Sequence, residues 1–154
     1  MSTASFVAMR TTSTSIGLTA LRIVLGVVFI AHGAQKAAQG IPSVTQGFSG
    51  MGVPLAEVAE PLVVGLELVG GVLLVLGVAT RIVGALLAVD MVVAGFLVHA
   101  TAGFFSQDGG FEYVLVLAVA SLAVALTGPG RISVDALFLR ASRRRRGVEE
   151  PLPA

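Results

Sequence analysis

The chain has 154 residues, of which 55% are hydrophobic and only 12% are charged. Soluble domains carry about 25% charged residues and need polar surface to cover their core, so this composition excludes an ordinary water-soluble enzyme. The absence of cysteine excludes disulfides, thiol redox chemistry and cysteine-held metal clusters within the chain. Closely packed membrane helices are favoured by the 19 glycines.

Four apolar stretches are long enough to cross a bilayer, whose hydrocarbon core of about 30 Å requires roughly 20 helical residues. They are residues 16–34, 57–78, 82–100 and 111–127. None has the alternation of a strand, so the sequence predicts an all-α protein, an integral membrane four-helix bundle over residues 16–139. The N-terminal segment 1–15 and the basic tail 140–154 are expected to be disordered.

Lysine and arginine are distributed unequally between the two ends of the predicted spans. Arg10 precedes the first span, Arg81 lies in the turn between the second and third, and several arginines follow the fourth. By the positive-inside rule, both termini are expected in the cytoplasm. The arginine run at 143–146 is expected to orient the chain and attract anionic lipids, and no nucleic-acid binding is expected. The N-terminus loosely imitates a secretory signal, but Arg22 interrupts the apolar run, so we expect no cleavage.

Three charged residues lie well inside the predicted spans, away from their ends: Arg22, Glu67 and Asp90. Each costs about 2.5–3.5 kcal/mol in lipid, so such residues usually face the protein interior. A rise of about 1.5 Å per residue, with the length of the Arg22 side chain added, places all three at one depth. We predict a buried polar cluster in which Arg22 bridges the two acids. It is either a latch that sets helix register or a site for a proton, a quinone headgroup or another small polar ligand.

A second polar group lies near the opposite surface from the arginines. His32 and Lys36 are four residues apart and share a helix face. His99 closes the third span and Glu112 opens the fourth, so these four residues form a predicted outer polar layer. Two histidines and a glutamate could hold a metal ion, but no metal-binding spacing is present, and no metal site is predicted.

Glycines in the first two spans indicate close helix packing, because small residues let helix backbones approach one another. The glycines concerned are Gly26, Gly33, Gly65, Gly70, Gly71 and Gly77.

Three segments carry a family resemblance: LRIVLGVVFIAHGAQK (21–36), GLELVGGVLLVLGVATR (65–81) and GGFEYVLVLAVASLAVALTGPGRISVDAL (109–137). Together they make the sequence resemble the DoxX family of small bacterial membrane proteins. The matching positions are Arg22, Gly26, His32, Gly33, Lys36, Glu67, Gly70, Gly71, Gly109, Glu112, Gly130, Arg131 and Asp135. The resemblance implies a multi-pass, four-helix protein of the bacterial cytoplasmic (plasma) membrane.

The resemblance also implies a role in redox metabolism, since family members are linked to membrane complexes with superoxide dismutase or to thiosulfate–quinone oxidoreduction. This chain lacks cysteine and any haem, flavin or nucleotide motif, so it is not expected to be an enzyme by itself. We expect a non-catalytic scaffold or subunit of a redox or oxidative-stress complex, with membrane lipids and protein partners around it. The alternatives are a quinone-binding oxidoreductase subunit and a small-solute or proton-coupled transporter. A quinone is the one candidate cofactor, and the sequence does not set the oligomeric state.

Overall fold

The computed structural model describes residues 3–145, with side chains described for 13–139, 141 and 142. Within that part the fold is all-helical. Its elements are α1 Thr3–Gln39, α2 Ile41–Gly50, α3 Ala56–Leu76, α4 Thr80–Ala94, a π-helical turn Gly95–His99, two 3-10 turns at Ala100–Ala102 and Ser106–Asp108, α5 Glu112–Thr127 and α6 Val134–Arg145.

Three helical segments are long and apolar enough to cross a bilayer: Ser13–Gln39, Ala56–Leu76 and Thr80–Ala102. They confirm the first three predicted spans as helices. The fourth predicted span is the helix α5, which has 16 residues and is shorter than the roughly 20 that a crossing requires. Four crossings therefore remain a prediction.

The structure differs from the sequence-based expectation at both ends of the bundle. Residues 3–15, expected to be disordered, are the first turns of α1. Once the membrane helix exists, each further turn extends it without the cost of a new nucleus, which favours this continuation. Residues 140–145 of the predicted disordered tail belong to α6. The remaining parts of those two predictions, residues 1–2 and 146–154, lie outside the described residues.

Two helix pairs make the closest backbone contacts. A Cβ atom on Gly26 of α1 would lie 2.6 Å from the carbonyl oxygen of Gly71 in α3, and one on Gly71 would lie 2.7 Å from that of Gly26. In the other pair, a Cβ on Gly84 of α4 would lie 3.0 Å from the carbonyl oxygen of Ser121 in α5. The predicted packing role is confirmed for Gly26, Gly33 and Gly71. It is wrong for Gly65, where an added Cβ would meet no atom within 4 Å.

The core lies between these pairs and the remaining apolar surface faces outward. Leu74 and Leu87 are fully buried at the centre, and Phe29 contacts them from α1. Val24 and Val116, by contrast, are about 60% exposed (61% and 60%). An apolar outer surface on every long helix suits lipid contact, and such a surface would be a liability in water.

We name the two ends of the bundle by their residues. The basal end contains the start of α4 and the ends of α3 and α5, close to Gly77 and Gly128. The apical end contains α2 and the 3-10 turn Ser106–Asp108. Because α1 begins at the basal end and α3 ends there, these two helices run antiparallel.

Candidate functional site

Arg22 is buried at the basal end, with 2% of its surface exposed. Its Nη1 donates hydrogen bonds to the carbonyl oxygens of Leu74 and of Val75, the latter at 3.0 Å. Its Nη2 donates to the carbonyl oxygen of Ile132 at 2.9 Å. The last carbonyls of a helix have no partner within the helix, so the end of α3 is a natural acceptor for a guanidinium group.

Asp135 completes the same region from the chain segment that follows α5. Its carboxylate accepts hydrogen bonds from the backbone N–H groups of Ala79 at 3.0 Å and Thr80 at 3.1 Å, so it caps the N-terminus of α4 from another element. Its own backbone N–H donates to the carbonyl oxygen of Gly77 at 3.0 Å. Arg22 and Asp135 also attract one another electrostatically. We call Arg22, Asp135 and the backbone groups they bind the basal latch.

The predicted bridge from Arg22 to Glu67 and Asp90 is therefore wrong. The Cα–Cβ bonds of a helix tilt toward its N-terminus, which for α1 is the basal end. The Arg22 side chain accordingly extends away from Glu67. The prediction had added the length of this side chain toward Glu67 and Asp90. Gly33 is the residue of α1 level with Glu67, since a Cβ on Gly33 would lie 3.1 Å from the Cβ of Glu67.

Lys36 is the actual partner of Glu67. Its Nζ donates to both carboxylate oxygens, at 2.6 Å to Oε1 and 2.5 Å to Oε2. The same backward tilt that directs Arg22 toward the basal end directs Lys36 from its apical position toward the middle of the bundle. Glu67 is 1% exposed, whereas the Lys36 side chain is 27% exposed and so lies at the edge of the buried region. One residue of the predicted inner cluster is thus joined to one of the predicted outer layer.

Asp90 lies beside this pair on α4. It is half-buried and interacts electrostatically with Glu67 and Lys36, as expected from the common depth of the two acids. Its Oδ2 is buried and has no hydrogen-bond partner. A buried acceptor without a partner is uncommon in proteins and calls for an explanation such as a bound ligand. We call Lys36, Glu67 and Asp90 the polar floor.

A cavity of about 540 Å³ extends from the polar floor toward the apical end. Its walls come from the four long helices, with Phe29, Met91 and Val114 among the apolar side chains, and its apical rim includes Phe48 of α2 and Ser106. A volume between about 300 and 1,000 Å³, apolar walls and a few convergent polar groups are typical of small-molecule sites. Arg22 does not line this cavity.

Three of the four residues in the predicted outer polar layer line the same cavity: His32, Lys36 and His99. The ring of His32 lies 5.8 Å from that of Tyr113, measured between centroids, and His99 donates from Nδ1 to the carbonyl oxygen of Gly109 at 2.6 Å. Glu112 does not line the cavity. Its Oε2 accepts a hydrogen bond from the backbone N–H of Ser106 at 3.1 Å and so holds the apical turn. Across the described residues, no three histidine, aspartate or glutamate side chains are grouped as metal ligands would be.

Glu60 of α3 is a buried acid that was not among the predicted site residues. It is 0% exposed, and neither carboxylate oxygen has a hydrogen-bond partner. The signal that could have found it is its spacing, because residues seven apart on a helix share a face and Glu67 is seven residues further on.

The fold and the cavity together define a small helical membrane protein with a ligand-sized site between its helices. Comparison with known proteins then identifies the family. The sequence model of the DoxX family matches residues 17–100, which hold α1 from its fifteenth residue onward and all of α2, α3 and α4. The chain belongs to the DoxX family.

Several relatives extend over most of this chain. "Putative oxidoreductase CatD" of Bacillus subtilis is 34% identical over 131 residues, which cover 85% of this chain and 93% of that protein. "Inner membrane protein YqjF" of Escherichia coli is 31% identical, with 80% of this chain and 92% of that protein covered. An uncharacterized membrane protein of Mycobacterium tuberculosis is 30% identical, with coverage of 75% and 77%. No solved structure shows significant similarity to this chain.

Proposed function

We propose that this protein is the quinone-binding membrane subunit of an oxidoreductase complex. The cavity above the polar floor is the observation that supports this role. A quinone headgroup is a flat apolar ring with two carbonyl oxygens, so it fits a site with apolar walls and a few hydrogen-bond donors. Lys36 and Tyr113 supply donors in the cavity wall, and His32 adds a ring nitrogen.

The polar floor also suits the proton chemistry of a quinone. Reduction of a quinone to a quinol takes up two electrons and two protons, and the protons must reach the two oxygens. Glu67 and Asp90 are carboxyl groups within the cavity wall, where a carboxyl can hold a proton and pass it to a ligand oxygen. The electrons come from a partner protein in this proposal, because the chain has no cysteine and no recognisable haem, flavin or nucleotide motif. The name of the Bacillus subtilis relative, "Putative oxidoreductase CatD", supports the oxidoreductase class.

The proposed topology has four crossings in the bacterial plasma membrane, with α5 as the shortest, and the basal end toward the cytoplasm. Arg81 and Arg131 lie at the basal end and favour this orientation by the positive-inside rule. The cavity then lies in the outer half of the membrane. The basal latch serves as the scaffold that holds the helices around the site.

Titration with menadione, a naphthoquinone headgroup without a tail, tests the proposal directly. The chain has one tyrosine and no tryptophan, and Tyr113 lines the cavity, so its fluorescence reports only this site. With the protein in lipid vesicles, which contain no second protein, we expect saturable quenching, confirmed by calorimetry. The double variant Lys36→Met/Glu67→Gln removes both members of the ion pair, so neither one leaves the charge of the other unpaired. It should weaken binding about tenfold, the size of one charge-assisted hydrogen bond.

Asp108→Asn is the matched control, because Asp108 is an exposed residue of the apical turn and does not line the cavity. It should bind menadione like the unaltered protein. Absence of saturable quenching would contradict quinone binding. Equal affinity in the double variant would contradict binding of the headgroup at the polar floor. Proton or solute flux into liposomes that depends on Glu67 and needs no quinone would indicate a transporter instead.

A further inference from the structure

A second, smaller concavity lies on the outer face of the bundle, between α4, the π-helical turn and α5. Its volume is about 250 Å³, and every residue that lines it is apolar or glycine. Phe96, Val92 and Leu115 border it and are 75%, 47% and 46% exposed, so it opens on the apolar outer surface. We call it the lateral groove.

The lateral groove and the cavity are neighbours. Met91 and Val114 line both of them. The π-helical turn divides its residues between the two spaces, since Gly95 and Phe96 line the groove whereas Leu97, Val98 and His99 line the cavity. Wide turns of this kind inside helices are frequent at functional sites.

We propose that the lateral groove holds the first isoprene units of a membrane quinone whose headgroup lies in the cavity. This inference rests on the proposed function. A quinone of the bilayer carries a long apolar tail, which must leave the site toward lipid and not toward water. The groove meets that requirement, because it is apolar, adjoins the cavity at Met91 and Val114, and opens outward at Phe96.

The size of the groove suits a short length of such a tail. An empty apolar cavity of about 150 Å³ in a protein accepts benzene, so about 250 Å³ accommodates a branched chain of more than five carbons. Lipid tails are themselves apolar, so the groove adds little hydrophobic free energy. Its role is to give the tail a path that leaves the headgroup free to reach the polar floor.

Gly95 offers a way to close the groove. A Cβ atom there would lie 3.5 Å from Cγ2 of Val114, an ordinary contact, so a larger side chain can be attached and would extend into the groove. Gly95→Leu is therefore the first test variant. Ala100→Leu is the second, because Ala100 is an exposed groove residue whose replacement does not disturb the core. Ala85→Leu, on the exposed face of α4 and outside both spaces, is the matched control.

The experiment compares menadione with menaquinone-4, which has the same headgroup and four isoprene units. Both are titrated against each variant in lipid vesicles of one composition, so that partitioning of the ligand into lipid is the same throughout. Gly95→Leu and Ala100→Leu should each weaken menaquinone-4 binding, by about tenfold for Gly95→Leu, because the tail must displace an added side chain. Menadione affinity should stay within about twofold, and Ala85→Leu should change neither ligand.

Three results would overturn the groove assignment, and they can be told apart. Unchanged menaquinone-4 affinity in both groove variants would place the tail elsewhere and leave the proposed function standing. Equal weakening of both ligands would show that the variants damage the headgroup site and that the groove does not select the tail. No saturable binding of either quinone by the unaltered protein would end both proposals, since the groove assignment depends on the headgroup site.

Discussion

The basal latch and the polar floor both place charged side chains inside the helical bundle, but they satisfy those charges differently. In the latch, Arg22 binds three backbone carbonyl groups and Asp135 binds two backbone N–H groups. In the floor, Lys36 and Glu67 bind one another, and Asp90 has a buried oxygen without a partner beside a cavity of about 540 Å³.

This difference separates structural charges from ligand-binding ones. A buried charge is stabilising when fixed groups of the protein satisfy it, and the protein then gains a rigid contact. A charged group that borders a cavity keeps hydrogen-bonding capacity that a ligand can use. Position within the membrane alone does not distinguish the two cases, because Arg22 of the latch and Glu67 and Asp90 of the floor all lie inside predicted spans.

The largest expected effect concerns the latch. Arg22→Met removes hydrogen bonds to Leu74, Val75 and Ile132 and should lower the free energy of unfolding by about 3 kcal/mol or more. Arg22→Lys should restore only part of this loss, because an ammonium group is a point charge without the guanidinium fork. Thermal unfolding in detergent measures the difference. Normal stability of Arg22→Met with loss of menadione binding would reverse the comparison and make the latch the site.

A smaller loss is expected at the contact between α1 and α3. Gly26→Ala would place a Cβ atom 2.6 Å from the carbonyl oxygen of Gly71 and should destabilise the protein by about 2 kcal/mol through overpacking. Gly65→Ala is the control, because an added Cβ there would meet no atom within 4 Å and alanine favours the helix by up to about 1 kcal/mol. Equal unfolding temperatures for the two variants would contradict the close packing of α1 on α3.

The cap of α4 should matter less. Asp135→Ala removes acceptors for the N–H groups of Ala79 and Thr80 and should cost about 1 kcal/mol, as helix caps do. Asp108→Ala, an exposed aspartate in an apical turn, should change stability by less than about 0.5 kcal/mol. The same unfolding assay compares the stability of the two variants. A larger loss for Asp108→Ala than for Asp135→Ala would show that Asp135 does not stabilise the latch.

The smallest effect on stability is expected at Asp90. The buried Oδ2 of Asp90 has no hydrogen-bond partner that a substitution could remove. Asp90→Asn should therefore change the free energy of unfolding by less than about 0.5 kcal/mol. Glu67→Gln should cost more, since it leaves the ammonium group of Lys36 without its counter-charge. If Asp90→Asn is the more destabilising of the two, Asp90 is a structural residue and the floor resembles the latch.

Much of this arrangement could be predicted from the chain alone. The apolar stretches indicated the helices, and counting the rise per residue placed Glu67 and Asp90 at one depth, where both line the cavity. The depth of the backbone in the membrane did not predict the partner of Glu67. That partner is decided by the direction in which the side chains of α1 extend. Lys36 begins about a turn apical of the floor and points back to it, whereas Arg22 points toward the basal end.

By itself, the sequence determined that this is a helical membrane protein and where its charges lie along each helix, because hydropathy and helical rise belong to the chain. Only the tertiary structure decided which charge meets which and where a cavity remains. Those outcomes depend on how α1 and α3 align at Gly26 and Gly71, and on the free backbone groups that the end of α3 offers to Arg22.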